Sequence, residues 1–139
     1  MLDRNKRTGN AAVLLPEGWT KPKGYANGIR ARGETIFIAG QVGWDAQGRF
    51  ADGFVAQARQ SLHNVMAVLR AGGGAPEHLV RMTWYVTDIV AYRNSLKELG
   101  AAYRDIVGRH YPAMTLIGVA ALAEPQALIE IEATAVLPD

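Results

Sequence analysis

The order of helix-like and strand-like segments between residues 35 and 136 is the feature that most restricts the fold of this chain. Two stretches carry apolar residues at every third or fourth position, as amphipathic helices do. The other stretches alternate apolar and polar residues or are short β-branched and aromatic runs, as in strands. The resulting order is β(β)-α-β-α-β-β. Because two amphipathic helices can cover only one face of so wide a sheet, we predict an α+β fold with both helices on one face of a mixed β-sheet.

The strands and their turns follow from alternation and from glycine positions. The predicted strands are residues 35–39, 80–86, 114–119 and 128–136, with an additional short strand at 29–32. Gly33 and Glu34 are expected to form the turn that pairs the short strand with the strand at 35–39.

The two helices have recognisable ends. Asp52 is the predicted N-cap of the first helix, and the glycines at 72–74 end it, because glycine accepts the left-handed conformation of a C-cap. The second helix is predicted as one segment over 89–107, with Gly108 as its stop and Pro112 just beyond.

The last strand has one apolar face and one mixed face. The residues that point one way are Ile129, Ile131, Ala133 and Ala135, and those that point the other way are Leu128, Glu130, Glu132, Thr134 and Val136. The second face is too apolar for open water and too charged for a dry core. Such a face is typical of a subunit interface or a pocket, so we expect an oligomer.

Composition favours one domain in a reducing compartment. The chain has 139 residues, 49% of them hydrophobic, and no cysteine, which excludes disulfides and thiolate catalysis.

Residues 1–23 show no period and are predicted to be a tail and lead-in, with the domain at 24–139. The first ten residues lack the apolar segment of a signal peptide, and no apolar run reaches the roughly 18 residues of a membrane span. A cytoplasmic protein without membrane contact is therefore expected.

Charge and histidine spacing argue against several classes of site. The formal net charge is only +2, and the basic residues beyond the N-terminal stretch are mixed with acidic ones, so nucleic-acid binding is not expected. His63, His78 and His110 have no metal-ligand spacing and are interpreted as surface or capping residues. No metal and no cofactor are predicted.

Several separated segments resemble one known family. Residues 38–42 (Ile-Ala-Gly-Gln-Val) and 57–65 resemble the strand end and first helix of the RidA (YjgF) superfamily, and residues 111–113 (Tyr-Pro-Ala) and 129–136 resemble its C-terminal segments. The resemblance extends from about Tyr25 to Leu137. It implies a chorismate-mutase-like α+β fold and a homotrimer with small-molecule clefts between neighbouring subunits.

The resemblance also implies an activity and its residues. Typical members hydrolyse reactive enamines and imines, such as 2-aminoacrylate, to 2-keto acids and ammonia. An arginine after Pro-Ala binds the substrate carboxylate bidentately in those members, but this chain has Met114 there. Glu130 matches the glutamate that orients or activates water and is the expected catalytic residue, with a structural carboxylate at the subunit interface as the alternative.

Further residues are expected to bind the ligand. Tyr25 matches a tyrosine at the cleft mouth, while Gly40 and Gln41 match a strand end that approaches the ligand with backbone groups. Trp44 and Leu116 are expected to make the pocket more apolar, with burial in the core as the alternative for Trp44. Ala39 stands in place of the family's serine, and Gly100 lies near the position of a pocket asparagine.

Three functions stay open at this point. The first is hydrolysis of an imine, enamine or related C–N bond other than standard 2-aminoacrylate, with Glu130 activating water. The second is a non-catalytic trimer that binds a metabolite or a protein, and the third is an endoribonuclease or translation inhibitor. Arg30, Arg93 and Arg109 are candidates to replace the missing carboxylate-binding arginine.

Overall fold

A computed structural model of the protein describes residues 7–8 and 10–139. The strands are β1 (Arg7–Thr8), β2 (Ala11–Leu14), β3 (Gly28–Ala31), β4 (Glu34–Val42), β5 (Leu79–Val86), β6 (Ala113–Gly118) and β7 (Ile129–Leu137). The helices are α1 (Phe54–Ala71), α2 (Ile89–Asn94) and α3 (Leu96–Ile106), and a 3-10 turn spans Pro76–His78.

The main sheet is mixed, as the element order predicts. Its four strands lie in the order β4-β7-β5-β6. β7 pairs antiparallel with both β4 and β5, whereas β5 and β6 are parallel. A parallel pair needs a long crossover connection, and α2 and α3 supply it. β6 therefore lies at an edge of the sheet, next to the crossover helices.

The core lies between one face of this sheet and the helices. α1 contacts β4, β7 and α3, and its buried side includes Leu62, Val65, Met66 and Leu69. The alternation of β7 is confirmed, because Ile129, Ile131, Ala133 and Ala135 are all buried and the residues between them are half-buried. The helices leave the opposite face of the sheet open, and Phe37 on that face is 81% exposed.

The second predicted helix is broken. The chain forms α2 and α3 with Ser95 between them, at φ −116° and ψ 13°, so the described residues contain three α-helices where two were predicted. Asn94 and Ser95 have low helix propensity because their side chains compete for backbone hydrogen bonds. The break lets α3 pack on α1 independently of α2.

The predicted pairing of residues 29–32 with 35–39 is wrong. β3 pairs instead with β2, in a separate small sheet of β1, β2 and β3. Both β1 and β2 therefore lie inside the segment expected to be a tail and irregular lead-in. Gly33, at φ 143°, separates β3 from β4. The Asn10 side chain links the two sheets, donating to the carbonyl oxygens of Arg32 (2.7 Å) and Val136 (3.0 Å).

The predicted C-terminal end of α1 is correct, whereas its predicted N-cap is wrong. Asp52 is not the N-cap, because Gly53 occupies that position at φ 93° with no side-chain cap bond, which moves the helix start by one residue. The glycine stop is confirmed: Gly72 caps the C-terminus, and Gly73 adopts the left-handed conformation at φ 81°.

Within residues 7–8 and 10–139, none of the helices has the length and apolar character required to cross a bilayer.

Candidate functional site

A cavity of about 480 Å³ lies between the crossover helices and the edge strand β6. It is lined by Lys23, Gly24, Tyr25, Trp84, Tyr92, Leu96, Leu99, Gly100, Tyr103, Arg104, Tyr111, Met114, Thr115 and Leu116. Its size and its aromatic and aliphatic walls suit a small organic molecule. Tyr25, Met114 and Leu116 were expected to bind a ligand, and the structure brings these three together.

Strand alternation and one backbone link position these residues. Met114 pairs with Met82 and Leu116 with Trp84 across the parallel β5–β6 ladder, and both side chains pack against the core side of the sheet. The Ala26 N–H donates to the Pro112 carbonyl at 2.9 Å. This bond places Tyr25, which is 43% exposed, at the start of β6 and at the mouth of the cavity.

Two tyrosines make a rigid wall. The rings of Tyr103 and Tyr111 stack with centroids 5.3 Å apart and 15° between their planes. The Tyr103 hydroxyl donates to the His110 carbonyl oxygen at 2.6 Å. Burial raises the pKa of Tyr103 well above its ordinary value, with a smaller contribution from Tyr111. The neutral hydroxyl is therefore the form present at ordinary pH.

The cavity also contains an arginine that sequence reasoning missed. Arg104, one turn after Gly100 on α3, folds back so that a Cβ added at Gly100 would lie 3.2 Å from its guanidinium. The absence of a side chain at residue 100 was the available signal, since glycine is unfavourable inside a helix. None of the expected replacements, Arg30, Arg93 or Arg109, lines this cavity.

Glu130 lies on the other face of the sheet. It pairs with Val42 and Tyr85 across β7, one residue out of phase with the buried Ile129 and Ile131. The β4–β7 register is interrupted between Ile38 and Gln41, and there the Glu130 carboxylate lies over Gly40. A Cβ at residue 40 would overlap that carboxylate and would come within 2.7 Å of its carbon Cδ. Gly40 therefore provides the space that Glu130 occupies.

Gln41 lies near the end of β4 that pairs with Ile131 and Glu130, and Trp44 follows that end, so both lie outside the cavity. The Gln41 side chain donates to the Ala39 carbonyl at 3.0 Å across the irregularity of β4. Trp44 is half-buried and packs on Phe50 with ring centroids 5.4 Å apart, and Asn64 of α1 donates to its carbonyl at 2.7 Å. Both residues shape the strand end beside Glu130, and one chain does not bring them to Met114.

Tyr85 and Glu132 form a hydrogen-bonded pair on the same face of the sheet as Glu130. The Tyr85 hydroxyl donates to the Glu132 carboxylate at 2.8 Å. This hydrogen bond raises the pKa of Tyr85, and desolvation and the nearby negative charge act in the same direction. None of the described residues forms a hydrogen bond to Glu130, so among them its carboxylate has no partner, unlike that of Glu132.

Two of the three histidines contact backbone groups, and the third is on the surface. His78 Nδ1 accepts from the Ala75 N–H at 2.9 Å, and His110 Nε2 lies 2.8 Å from the Leu79 carbonyl oxygen. His63 is exposed on α1. Over the described part of the chain, no three His, Cys, Asp or Glu side chains are grouped as metal ligands would be.

The fold and site define a class of protein: a small α+β domain with a helix–sheet cavity and an uncovered, carboxylate-bearing sheet face. Residues 20–137 match the model of the Endoribonuclease L-PSP family. The chain is also 34% identical over 126 residues to a RutC family protein of Pyrococcus horikoshii, covering 88% of this chain and 95% of that protein. The chain therefore belongs to this family, the RidA (YjgF) family that its motifs resemble.

Other relatives carry functional names and solved structures. A 2-iminobutanoate/2-iminopropanoate deaminase of Salmonella typhimurium is 34% identical over 116 residues, covering 81% of this chain and 86% of the relative. A Rid-family protein of unknown function from Yersinia pestis is 38% identical, with a TM-score of 0.78 over 92% of this chain and 99% of that one. The YjgF gene product of Escherichia coli has a TM-score of 0.64 at 33% identity, over 81% of this chain and 87% of that one.

Proposed function

We propose that the protein is a homotrimer that binds a small metabolite in clefts between subunits and hydrolyses an imine, an enamine or a related C–N bond there. Glu130 activates the water. The substrate is not one held by an arginine at position 114, so standard 2-aminoacrylate deamination is not the function. The proposal is supported by family membership and by the relatives named as 2-iminobutanoate/2-iminopropanoate deaminases.

The observation that carries the proposal is the separation of two half-sites. Met114 and Leu116 line a cavity on the helix side of the sheet, whereas Glu130 faces the uncovered side. A single chain cannot bring both to one ligand. If the uncovered face of one subunit lies against the cavity edge of the next, each cleft receives Tyr25 and Met114 from one chain and Glu130 from the other.

Imine hydrolysis requires the protein to position the imine and a water molecule and to transfer protons. The Glu130 carboxylate takes a proton from water while the water oxygen bonds to the imine carbon, and the nitrogen takes up a proton. The carbinolamine then collapses to a carbonyl compound, and ammonia leaves. In sum, R₂C=NH and H₂O give R₂C=O and NH₃. Glu130 meets the requirement for a base because no described side chain occupies its carboxylate.

Met114 is the argument against a short 2-imino acid. A thioether has no charge and donates no hydrogen bond, so a carboxylate next to the imine carbon finds no bidentate partner at this wall. Loss of such a contact typically costs several kcal/mol, about 2 to 5.

The first test compares the unmodified protein with Met114→Arg in hydrolysis of 2-aminoacrylate and of bulkier 2-imino acids, followed by ammonia release. We expect 2-aminoacrylate activity to be absent from the unmodified protein and to appear in Met114→Arg. High activity of the unmodified protein on 2-aminoacrylate would contradict the Met114 argument.

The second test concerns Glu130. We expect Glu130→Gln to reduce any detected hydrolysis by about 100-fold or more, because general-base catalysis typically contributes 10²–10⁴-fold. Glu132→Gln is the matched control, since an amide oxygen can still accept from Tyr85. Hydrolysis that is equally unaffected in both variants would exclude the proposed mechanism.

Non-catalytic binding is the second candidate function. It is favoured by the replacement of the expected arginine by Met114, which leaves a binding cavity without the family's carboxylate contact. It would raise the melting temperature with a ligand without turnover of any imine in the panel.

A further inference from the structure

We propose that the cavity between α2–α3 and β6 takes an anion with an aromatic or branched aliphatic body, whose negative group is held at the cavity mouth by Arg104 and Lys23. This inference rests on the proposed small-molecule site and names the ligand class that the site accepts.

All charged side chains that line the cavity are positive. Among the fourteen described residues that line it, Lys23 and Arg104 are the charged ones, and no lining residue is Asp or Glu. The Arg104 guanidinium has no carboxylate partner among the described residues, in contrast to Arg49 and Arg59, which pair with Asp45 and Asp105. Within one subunit the cavity lining has two cations and no carboxylate, which favours an anionic ligand.

The distribution of burial fixes the direction of the ligand. Lys23 and Arg104 are exposed, whereas Trp84, Leu99 and Tyr103 are each 5% exposed and form the interior wall. The negative group therefore lies at the mouth, and the apolar body extends inward. Met114 belongs to the apolar part of the wall, so the cations are supplied by α3 and by the segment before Tyr25, and not by position 114 of β6.

The helix sequence is suited to this role. Gly100 leaves open the surface over which the Arg104 side chain folds, with one guanidinium nitrogen 3.2 Å from the position of an added Cβ. Arginine offers a planar fork that binds a carboxylate through two parallel hydrogen bonds. A side chain at position 100 would crowd the guanidinium in this position and require it to shift by a few tenths of an ångström.

Phenylacetate and phenylacetamide provide a matched pair of probes, because they differ in charge and hardly in shape. Their binding is measured by calorimetry on the full chain and, in parallel, on Glu130→Gln, which keeps the cavity and lacks the proposed base. We expect phenylacetate to bind at least about tenfold more tightly than the amide in both proteins.

Arg104→Gln is the deciding variant. We expect it to weaken phenylacetate binding about tenfold and to leave phenylacetamide binding unchanged, with a smaller loss for Lys23→Gln. Arg93→Gln, at an exposed arginine of α2 that does not line the cavity, is the control and should change neither. Since all three side chains are exposed, the variants are expected to keep the melting temperature of the parent protein.

The outcomes separate this inference from the proposed function. Equal binding of the two probes, no binding of either, or phenylacetate affinity unaffected by Arg104→Gln would overturn the inference even if imine hydrolysis is found. Charge-selective binding that depends on Arg104, without hydrolysis of any imine tested, would support the inference and contradict catalysis.

Discussion

Gln57 joins three stretches of backbone that are distant in sequence. Its side-chain nitrogen donates to the carbonyl oxygens of Ala51 and Gln126, and its side-chain oxygen accepts from the Leu128 N–H at 2.8 Å. The residue is 3% exposed. It therefore fixes the loop that leads into β7, the strand that carries Glu130.

We expect Gln57→Leu to lower the free energy of unfolding by about 2–4 kcal/mol. The substitution removes the side-chain partner of three part-buried backbone groups. A fully buried unsatisfied group costs about 1–3 kcal/mol, and access of water and relaxation of the loop reduce this cost. Urea unfolding measures the change. Gln60→Leu on the same helix, whose side chain makes a single bond to Asn64, is the control and should cost much less.

Tyr103 links stability to alkaline pH. Because burial raises its pKa in the folded protein, the unfolded chain loses the phenolic proton first. The contribution of this group is fully present below the unfolded pKa of about 10 and decreases above it, by about 1.4 kcal/mol per pH unit.

We therefore expect Tyr103→Phe to be less stable than the parent at pH 8, by about 1 kcal/mol for the lost bond to the His110 carbonyl. The difference should shrink or reverse by pH 11, since phenylalanine does not ionise. Denaturant unfolding at pH 8, 9, 10 and 11 measures both proteins. A difference that stays constant over this range would mean that Tyr103 ionises equally in the folded and unfolded states.

At the scale of elements, the irregularity in β4 is what places Glu130. The register changes between Ile38 and Gln41, which puts Gly40 beneath the carboxylate, and the Gln41 side chain bonds back to Ala39 across the same irregularity. Irregularities of this kind redirect side chains at sheet edges and near functional sites.

We expect Gly40→Ala to displace the Glu130 carboxylate, because the added Cβ overlaps it. Hydrolysis should fall nearly as far as in Glu130→Gln, with a stability cost of at most about 1–3 kcal/mol. A double-mutant cycle checks the cause: Gly40→Ala in the Glu130→Gln background should cause no additional loss of activity. A full additional loss would show that Gly40 acts independently of Glu130.

The crossover helices α2 and α3 form the other half-site, the cavity that contains Met114 and Leu116. The break at Ser95 separates α2 from α3, and both contribute to the cavity, with Tyr92 from one and Leu99 and Arg104 from the other. In an uninterrupted helix these side chains would project from a single axis. Because the helix is broken at Ser95, α2 and α3 have separate axes, and both pack beside β6.

At the scale of the whole molecule, the sheet has one covered and one uncovered face. The uncovered face combines the exposed Phe37 with Arg81, Thr83 and Glu132, around a groove of about 370 Å³. An apolar residue as exposed as Phe37, beside buried Thr83, is typical of a surface that meets a partner.

We expect sedimentation equilibrium to give three times the chain mass of 15.0 kDa. Phe37→Glu should shift the protein towards smaller species by placing a charge on the proposed subunit interface. Val68→Glu, at an exposed position on α1 and not on the sheet, is the control. A monomeric parent protein would contradict both the trimer and the shared cleft.

The sequence by itself determined the parts of the fold that have a local period. The strands at 80–86 and 128–136, the first helix with its glycine stop, and the two-faced last strand were predicted because side chains two, three or four residues apart lie on one face. The family was likewise evident from the motifs around Gly40, Pro112 and Glu130. Tyr25, Met114 and Leu116 were chosen in this way, and they line one cavity.

Only the tertiary structure decided which surfaces meet. Contacts between distant segments determine three features: the pairing of β3 with β2, the break at Ser95 and the turn of Arg104 towards Gly100. Such contacts cannot be predicted from the periodicity of one segment. The same holds for Glu130, which the motif identified but which the sheet places on the face opposite Met114. Local sequence fixes the direction of a side chain relative to its own element, whereas packing of the elements fixes which side chains share a site.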